Sequence, residues 1–326
     1  MYGGQTMKRT PLSVLPAALL LGLLAGDATA QEPAAEEPDP ELATVVPGPW
    51  LWNRNSVALA YGPLGLLGTS RLQIRGPMGR SSSIVFQDTY AGAGMAMAIS
   101  PAFIEVGPRF SLAPIDVFDI DVQLSYIYTW RSSAGLLPYT GLTGTLDNAR
   151  TAIKTTAVAG SKFTASISPT VKFKAGPVIG LWNLEWAFIH HIKPDGVTSP
   201  YVYEALRDLV IAWDDLVVTN IAAILVEIFD GTGPNGGPGP KFRVGPIMRD
   251  KQSLVSRDIS TALGGAITLR PGPKPGWPDI LVAVMGYLRD NDRQFKAPNI
   301  QVQLAWVLEK DLGAKRVADD VKTALR

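Results

Sequence analysis

Apolar and polar residues take turns along much of this chain. Over residues 117–130, Phe118, Ile120, Val122, Leu124, Tyr126, Tyr128 and Trp130 share one face of an extended segment. Asp119, Asp121, Gln123, Ser125 and Thr129 share the other, with Ile127 the one intruder. Residues 162–175 repeat the pattern, Phe163, Ala165, Ile167, Pro169, Val171 and Phe173 alternating with Lys162, Thr164, Ser166, Ser168, Thr170, Lys172 and Lys174. Ile300, Val302, Leu304, Trp306 and Leu308 do the same, and weaker alternation covers residues 102–112, 178–191, 241–249, 261–270 and 280–289. Side chains along a strand point to opposite faces in turn, so a period of two marks a sheet with one apolar face. These segments are longer than the five or six residues of ordinary globular strands. Tyr126, Tyr128 and Trp130 crowd the end of one strand, and Trp182 and Trp186 sit on the apolar face of another. Such placement suits an interfacial aromatic girdle. The pattern predicts an all-β fold, an antiparallel transmembrane β-barrel of about ten to twelve strands with its apolar face outward.

The connections refine this. Short turns at residues 113–115 and 175–177 alternate with long loops at 131–160 and 192–215, as barrel hairpins do. Short turns belong at the periplasmic rim and long loops outside, and Gly/Pro-punctuated extended turns at 231–240 and 271–278 fall on the short side. Both termini then lie in the periplasm, which requires an even strand number. Twelve strands require residues 56–77 to divide into a hairpin and another short strand to lie hidden before Ala91. Leu206, Leu209, Val210, Trp213 and Val217 recur at helical spacing, which predicts a short loop helix before a strand over 217–229. Val317, Val321 and Leu325 predict a short periplasmic helix over residues 310–326.

The start of the chain reads differently. Met7-Lys8-Arg9 is basic, residues 12–24 are apolar, and Ala28-Thr29-Ala30 offers small residues to a signal peptidase. Together they predict a secretory signal over residues 1–30, cut before Gln31. Residues 31–49, rich in Pro, Ala and Glu, are expected to be a disordered periplasmic linker, with the barrel over 50–309. The signal, the alternating strands and the lack of cysteine resemble Gram-negative outer-membrane β-barrel proteins as a broad class. Residues 299–308 resemble the closing strand of such proteins, although the chain continues past it. The resemblance implies an outer-membrane location with lipid as the surrounding partner.

Composition narrows the chemistry. Hydrophobic residues make up 46% and charged residues 18%, too charged for a helical membrane bundle. The net charge of +1 shows no basic excess for nucleic acid. With no cysteine, disulfides and thiol nucleophiles are excluded. Pairing across a turn at Pro114 would bring Arg109 opposite Asp119, with Lys172 and Lys174 at the same end and Glu105 and Asp121 a step or two above. These six are the expected lumenal charge network. It would either line a pore for small solutes or fill the interior with a charge lattice. His190 and His191 are adjacent, so on a strand they face opposite sides and do not share a metal. No His-x-Ser or Asp-His pair supplies a nucleophile and base, and Asp214-Asp215 reads as a solvated pair, so no enzyme is predicted. Residues 231–240 lack the Gly-Lys-Ser/Thr ending of a phosphate loop, and no cofactor is expected. The function that follows is a passive channel or a structural role in the envelope. The alternatives are a barrel whose loops at 131–160 and 193–215 bind an external partner, and a soluble periplasmic lipid carrier.

Overall fold

The computed structural model describes residues 49–61, 65–78, 89–130, 136–139, 158–204, 207–232, 238–271, 279–290 and 300–311. The first part of the wall is β1 (Trp50–Tyr61), β2 (Gly65–Pro77), β3 (Tyr90–Ile99), β4 (Phe103–Ile115) and β5 (Phe118–Thr129). It continues through β7 (Gly160–Ala175), β8 (Val178–Ile192), β11 (Asp214–Thr232), β12 (Pro238–Ser253), β13 (Ile259–Arg270), β14 (Asp279–Asp290) and β15 (Ile300–Asp311). Each strand pairs antiparallel with the next, and β1 pairs with β15, so the twelve strands close into a barrel. Closure leaves no strand edge unpaired in the wall. A separate three-stranded sheet consists of β6 (Leu137–Tyr139), β9 (Tyr201–Glu204) and β10 (Leu209–Ala212).

Alternation in the sequence becomes alternation in exposure. On β5, Leu124 is 48% exposed while Ser125 is 6% and Ile127 3%. The same phase puts Val106, Phe110 and Leu112 of β4, Met95 and Met97 of β3 and Phe163 of β7 on the outside. In a closed barrel the exposed apolar face is the outer wall, and the opposite face lines the lumen.

The hairpin expected within residues 56–77 exists as β1 and β2, with β1 beginning earlier, at Trp50, and the further strand is β3, which runs over Tyr90–Ile99 and so does not lie before Ala91. Trp50 and Asp311 lie at one end of the barrel, here termed the base, and the other end is the mouth. Residues 116–117, 176–177, 233–237 and 271–278 connect strands at the base. Residues 130–159 and 193–213 connect them at the mouth. Gly176 has a φ of 56° at the first position of the Gly176-Pro177 turn, the sign a II′ hairpin requires there.

Three expectations are corrected. The helix expected within residues 203–217 is not formed: β9 and β10 make an antiparallel hairpin, with Leu209 pairing to Glu204 and Ala212 to Tyr201. Val202, Leu209 and Ile211 are wholly buried, and a strand covered on both faces shows no period of two. The turn expected at residues 113–115 lies at Asp116-Val117, and β4 runs on through Pro114 to Ile115. Pro114 has no N–H for the ladder, and the register shifts between Leu112 and Ile115. Lys310 and Asp311 extend β15 instead of opening a helix. The rest of that expected helix, like the signal segment and nearly all of the linker, lies outside the described residues.

Candidate functional site: the lumen and its mouth

The lumenal charges are placed by strand parity. Arg109 stands opposite Gln123, not Asp119, because the hairpin turns later than the sequence suggested. Its Nε donates to Asp121 Oδ1 at 3.1 Å, Nη2 lies 2.5 Å from Oδ2, and Nη1 donates to Gln123 Oε1 at 3.2 Å. Gln123 Nε2 in turn donates to Glu105 Oε1 at 2.9 Å. Ser111 Oγ donates to Asp121 and accepts from Gln73 Nε2 at 2.8 Å. Arg75 donates to Gln73 Oε1 and lies over the rings of Trp52 and Tyr90, 3.6 and 4.0 Å from their centroids. A single polar chain thus runs from Glu105 to Arg75 through β5, β4 and β2.

That chain skips β3, and the residues of β3 explain how. Register places Gly94 between Gln73 and Arg109, and Gly92 between Arg75 and Ser111. A Cβ on Gly94 would run into the Leu72 carbonyl oxygen, and one on Gly92 would press on the Arg75 stem. Side chains from β2 and β4 meet over the glycines, which no other residue would allow.

The remaining predicted charges pair nearer the base. Lys172 pairs with Asp119. Lys174 Nζ lies 2.5 Å from Glu227 Oε1, and Arg243 Nη2 lies 2.8 Å from the other oxygen of the same carboxylate. The expected network is therefore three separate groups and not one. Glu105, Arg109 and Asp121 belong to the upper one. Asp119 with Lys172, and Lys174 with Glu227 and Arg243, lie below. In each of these pairs the partners sit on adjacent or next-but-one strands. The charges bind along the wall and do not bridge the lumen.

What crosses the interior is the β9–β10 hairpin. Its apolar side chains Val202, Leu209 and Ile211 pack with Leu136 and Trp213 against Ala187, Ile189 and Val217, which point inward from β8 and β11. Each such buried side chain contributes about 1.5–3 kcal/mol. Polar anchors fix the hairpin's direction. Lys162 of β7 and Glu204 form an ion pair, 2% and 3% exposed. Arg207 Nη2 reaches Glu185 of β8 at 3.3 Å, and Lys251 Nζ of β12 donates to the Arg207 carbonyl at 2.6 Å. Tyr203 Oη and Tyr287 Oη of β14 both donate to the Asp208 carboxylate, at 2.8 and 2.9 Å. Asp208 has a φ of 54°, a left-handed conformation held in place by these two donors. Asp258 Oδ2 accepts from Val210 N, and Asp215 Oδ2 accepts from Ala212 N and Ser253 Oγ. Asp215, read from sequence as solvated, is a buried clamp, whereas Asp214 stays exposed on the outside. The hairpin spans the arc from β7 to β14 and fills that side of the mouth.

The outer wall carries the expected aromatics. Tyr126 and Tyr128 are outward and 38% exposed, and Trp182 matches them. Trp130 follows the end of β5, with its ring edge-on to Tyr128 at 6.2 Å. Trp186 holds an outward position at mid-strand of β8. A concavity of about 820 Å³ lies on this wall, lined by Val106, Leu124, Tyr126, Phe163, Phe188 and Leu216. These six are outward positions, and the inward positions Gly107, Ser125, Thr164, Ile189 and Asp215 that alternate with them also border the hollow. Above it His190 Nδ1 and Asp214 Oδ1 lie 2.5 Å apart, both exposed. His191 points the other way and is buried against Trp213. The two imidazoles thus face opposite sides, as adjacent strand residues must.

No family model matches this chain. No curated protein matches it either. Among solved structures, the β domain of the Bordetella autotransporter BrkA is similar at a TM-score of 0.39 and 12% identity, covering 80% of this chain and 98% of that one. OccK10 (OpdN) of Pseudomonas aeruginosa is similar at a TM-score of 0.23 and 8% identity, covering 82% of this chain and all 100% of that one. The molecule is a closed β-barrel of the outer-membrane type. Its own geometry carries that statement: a sealed antiparallel wall, an apolar exterior and a polar, charge-lined interior.

Among the described residues the lumenal side chains hold and orient one another through hydrogen bonds and ion pairs. Sequence reasoning found the charges that alternate on long strands. It missed Gln73, Arg75 and Arg71, because β2 was not resolved as a strand of its own. It also missed Glu185, Glu204, Arg207 and Asp208, whose partners lie far away in sequence.

Proposed function

We propose that this chain is an integral outer-membrane protein that passes small solutes passively through a lumen narrowed at its outer mouth by the β9–β10 hairpin. One observation carries the reading: the interior is filled unevenly. The hairpin and its anchors occupy the arc from β7 to β14. On the opposite arc small inward residues, Ala58 and Ala60 of β1 and Gly92, Gly94, Ala96 and Ala98 of β3, stand among larger ones that bind along the wall, such as Trp52, Gln73, Arg75 and Arg109. The charge clusters there lie along the wall, so they line space and do not obstruct it. The apparent export signal over residues 1–30 supports the route to that membrane. Of the 193–213 loop the β9–β10 hairpin is folded inward, while positions 193, 195, 196, 198 and 200 stay exposed. The apolar belt faces out, the reverse of what a soluble lipid carrier needs.

The test is conductance of the full mature chain, refolded and inserted into planar bilayers. The proposal predicts small, ohmic steps that grow when the hairpin is released. Heat-modifiable, carbonate-resistant protein that stays silent in both forms would overturn the channel reading and leave a structural role.

A further inference from the structure

Arg71 has an inward position on β2, directly opposite Arg54 on β1 and next to Ala96 on β3. Two like charges facing each other across a strand pair repel. On its other side Arg54 stands in register with residue 309 of β15. Arg109 is engaged by Asp121 and Gln123. For the Arg71 guanidinium, no hydrogen bond or ion pair is found among the described residues. Its electrostatic neighbours are Arg109 and Arg54 on one side of the balance and Asp121 and Glu105 on the other. Both carboxylates have donors already: Asp121 takes Arg109 and Ser111, and Glu105 takes Gln123. The neighbours on its row toward β4 are Ala96 and Gly107, too small to reach it or to fill the space before it. A half-buried cation with five donors, with two more guanidinium groups near it and only Ala96 and Gly107 beside it on its row, has no ion-pair partner among the described residues.

We propose that Arg71 anchors a lumenal binding site for a small oxyanion, a carboxylate or a phosphate, with Arg54 and Arg109 raising the local potential. The guanidinium fork matches two oxygens of either group, which a single chloride cannot do. This rests on the channel reading for its purpose but not for its existence, because binding needs only water access to the lumen.

The experiment uses the full mature chain folded in neutral detergent. Linewidths of the acetate ¹H and phosphate ³¹P resonances are followed as protein is added, at constant ionic strength in sodium chloride. Saturable broadening is expected, weakened about tenfold or more in R71Q. It should persist in R270Q, where the lost guanidinium pairs with Asp279 at the base. Tighter acetate binding assigns the site to carboxylate solutes, and tighter phosphate binding to phosphorylated ones. Broadening that is absent for both anions, or unchanged by R71Q, overturns the proposal. So does broadening that emerges only in E105Q, which would mean that the Glu105 carboxylate already occupies the place. Binding with silent bilayers would sink the channel and leave the site standing.

Discussion

Replacing Glu204 by leucine should undo the hairpin without undoing the barrel. Glu204 and Lys162 are 3% and 2% exposed, so the substitution strands an ammonium group in a nearly dry place. Breaking a buried pair from one side costs about 3–5 kcal/mol. The cost falls on the hairpin, because Lys162 regains water as soon as β9 lifts away, whereas the wall keeps all its ladders. Local units open at lower free energy than the whole fold. Amide exchange at Val202, Leu209 and Ile211 should therefore speed up by about two to four powers of ten, while amides of β3 and β13 keep their rates. Conductance should rise with it. The double variant K162M/E204L, with both charges replaced by apolar groups, should return exchange to near its original rate. The assay is hydrogen exchange read by mass spectrometry on detergent-folded protein, with heat-modifiable migration as the check on the barrel. Unchanged hairpin exchange in E204L, or loss of heat-modifiability, would refute the reasoning.

Other substitutions probe the wall and its lining. G94V drives a Cβ into the Leu72 carbonyl and should cost about 3 kcal/mol or more, seen as a lowered urea midpoint or a failure to refold. F110R puts a charge on the outer face, where Phe110 is 50% exposed, and should destabilise the protein in vesicles by about 2–4 kcal/mol. Y287F removes one of two hydroxyl donors to Asp208 and should quicken exchange of the β9–β10 amides by about tenfold, with the urea midpoint unmoved.

The wall was legible where polarity alternates. β5 and β7 place Asp, Ser, Thr and Lys inward against Leu, Tyr, Phe and Val outward, and a sheet closed in lipid needs nothing more. β3 was harder to read because its two faces differ in volume and not in polarity: Gly and Ala inward, Met and Ile outward. The β4–β5 register was misjudged because a proline in a strand looks like a turn. Pro114 lies within the register shift between Leu112 and Ile115, and the reversal waits for Asp116-Val117. The hairpin in the mouth was misread as a helix, since Leu209, Val210 and Trp213 are all buried and their spacing records coverage on every side. Its anchors were beyond reach for a different reason. Lys162 with Glu204 and Asp208 with Tyr287 are pairs made by the closed topology, and no local pattern announces them.

The chain contains no cysteine, so single cysteines can be placed anywhere and spin-labelled without background. A label walked through β5 in bilayers, with collision rates to oxygen and to a water-soluble nickel chelate measured at each position, tests the closed barrel most directly. Oxygen collisions should peak at positions 120, 122, 124, 126 and 128, with lower rates and a reciprocal chelate response at 119, 121, 123 and 125. Equal collision rates at neighbouring positions, or oxygen maxima at the odd ones, would contradict it.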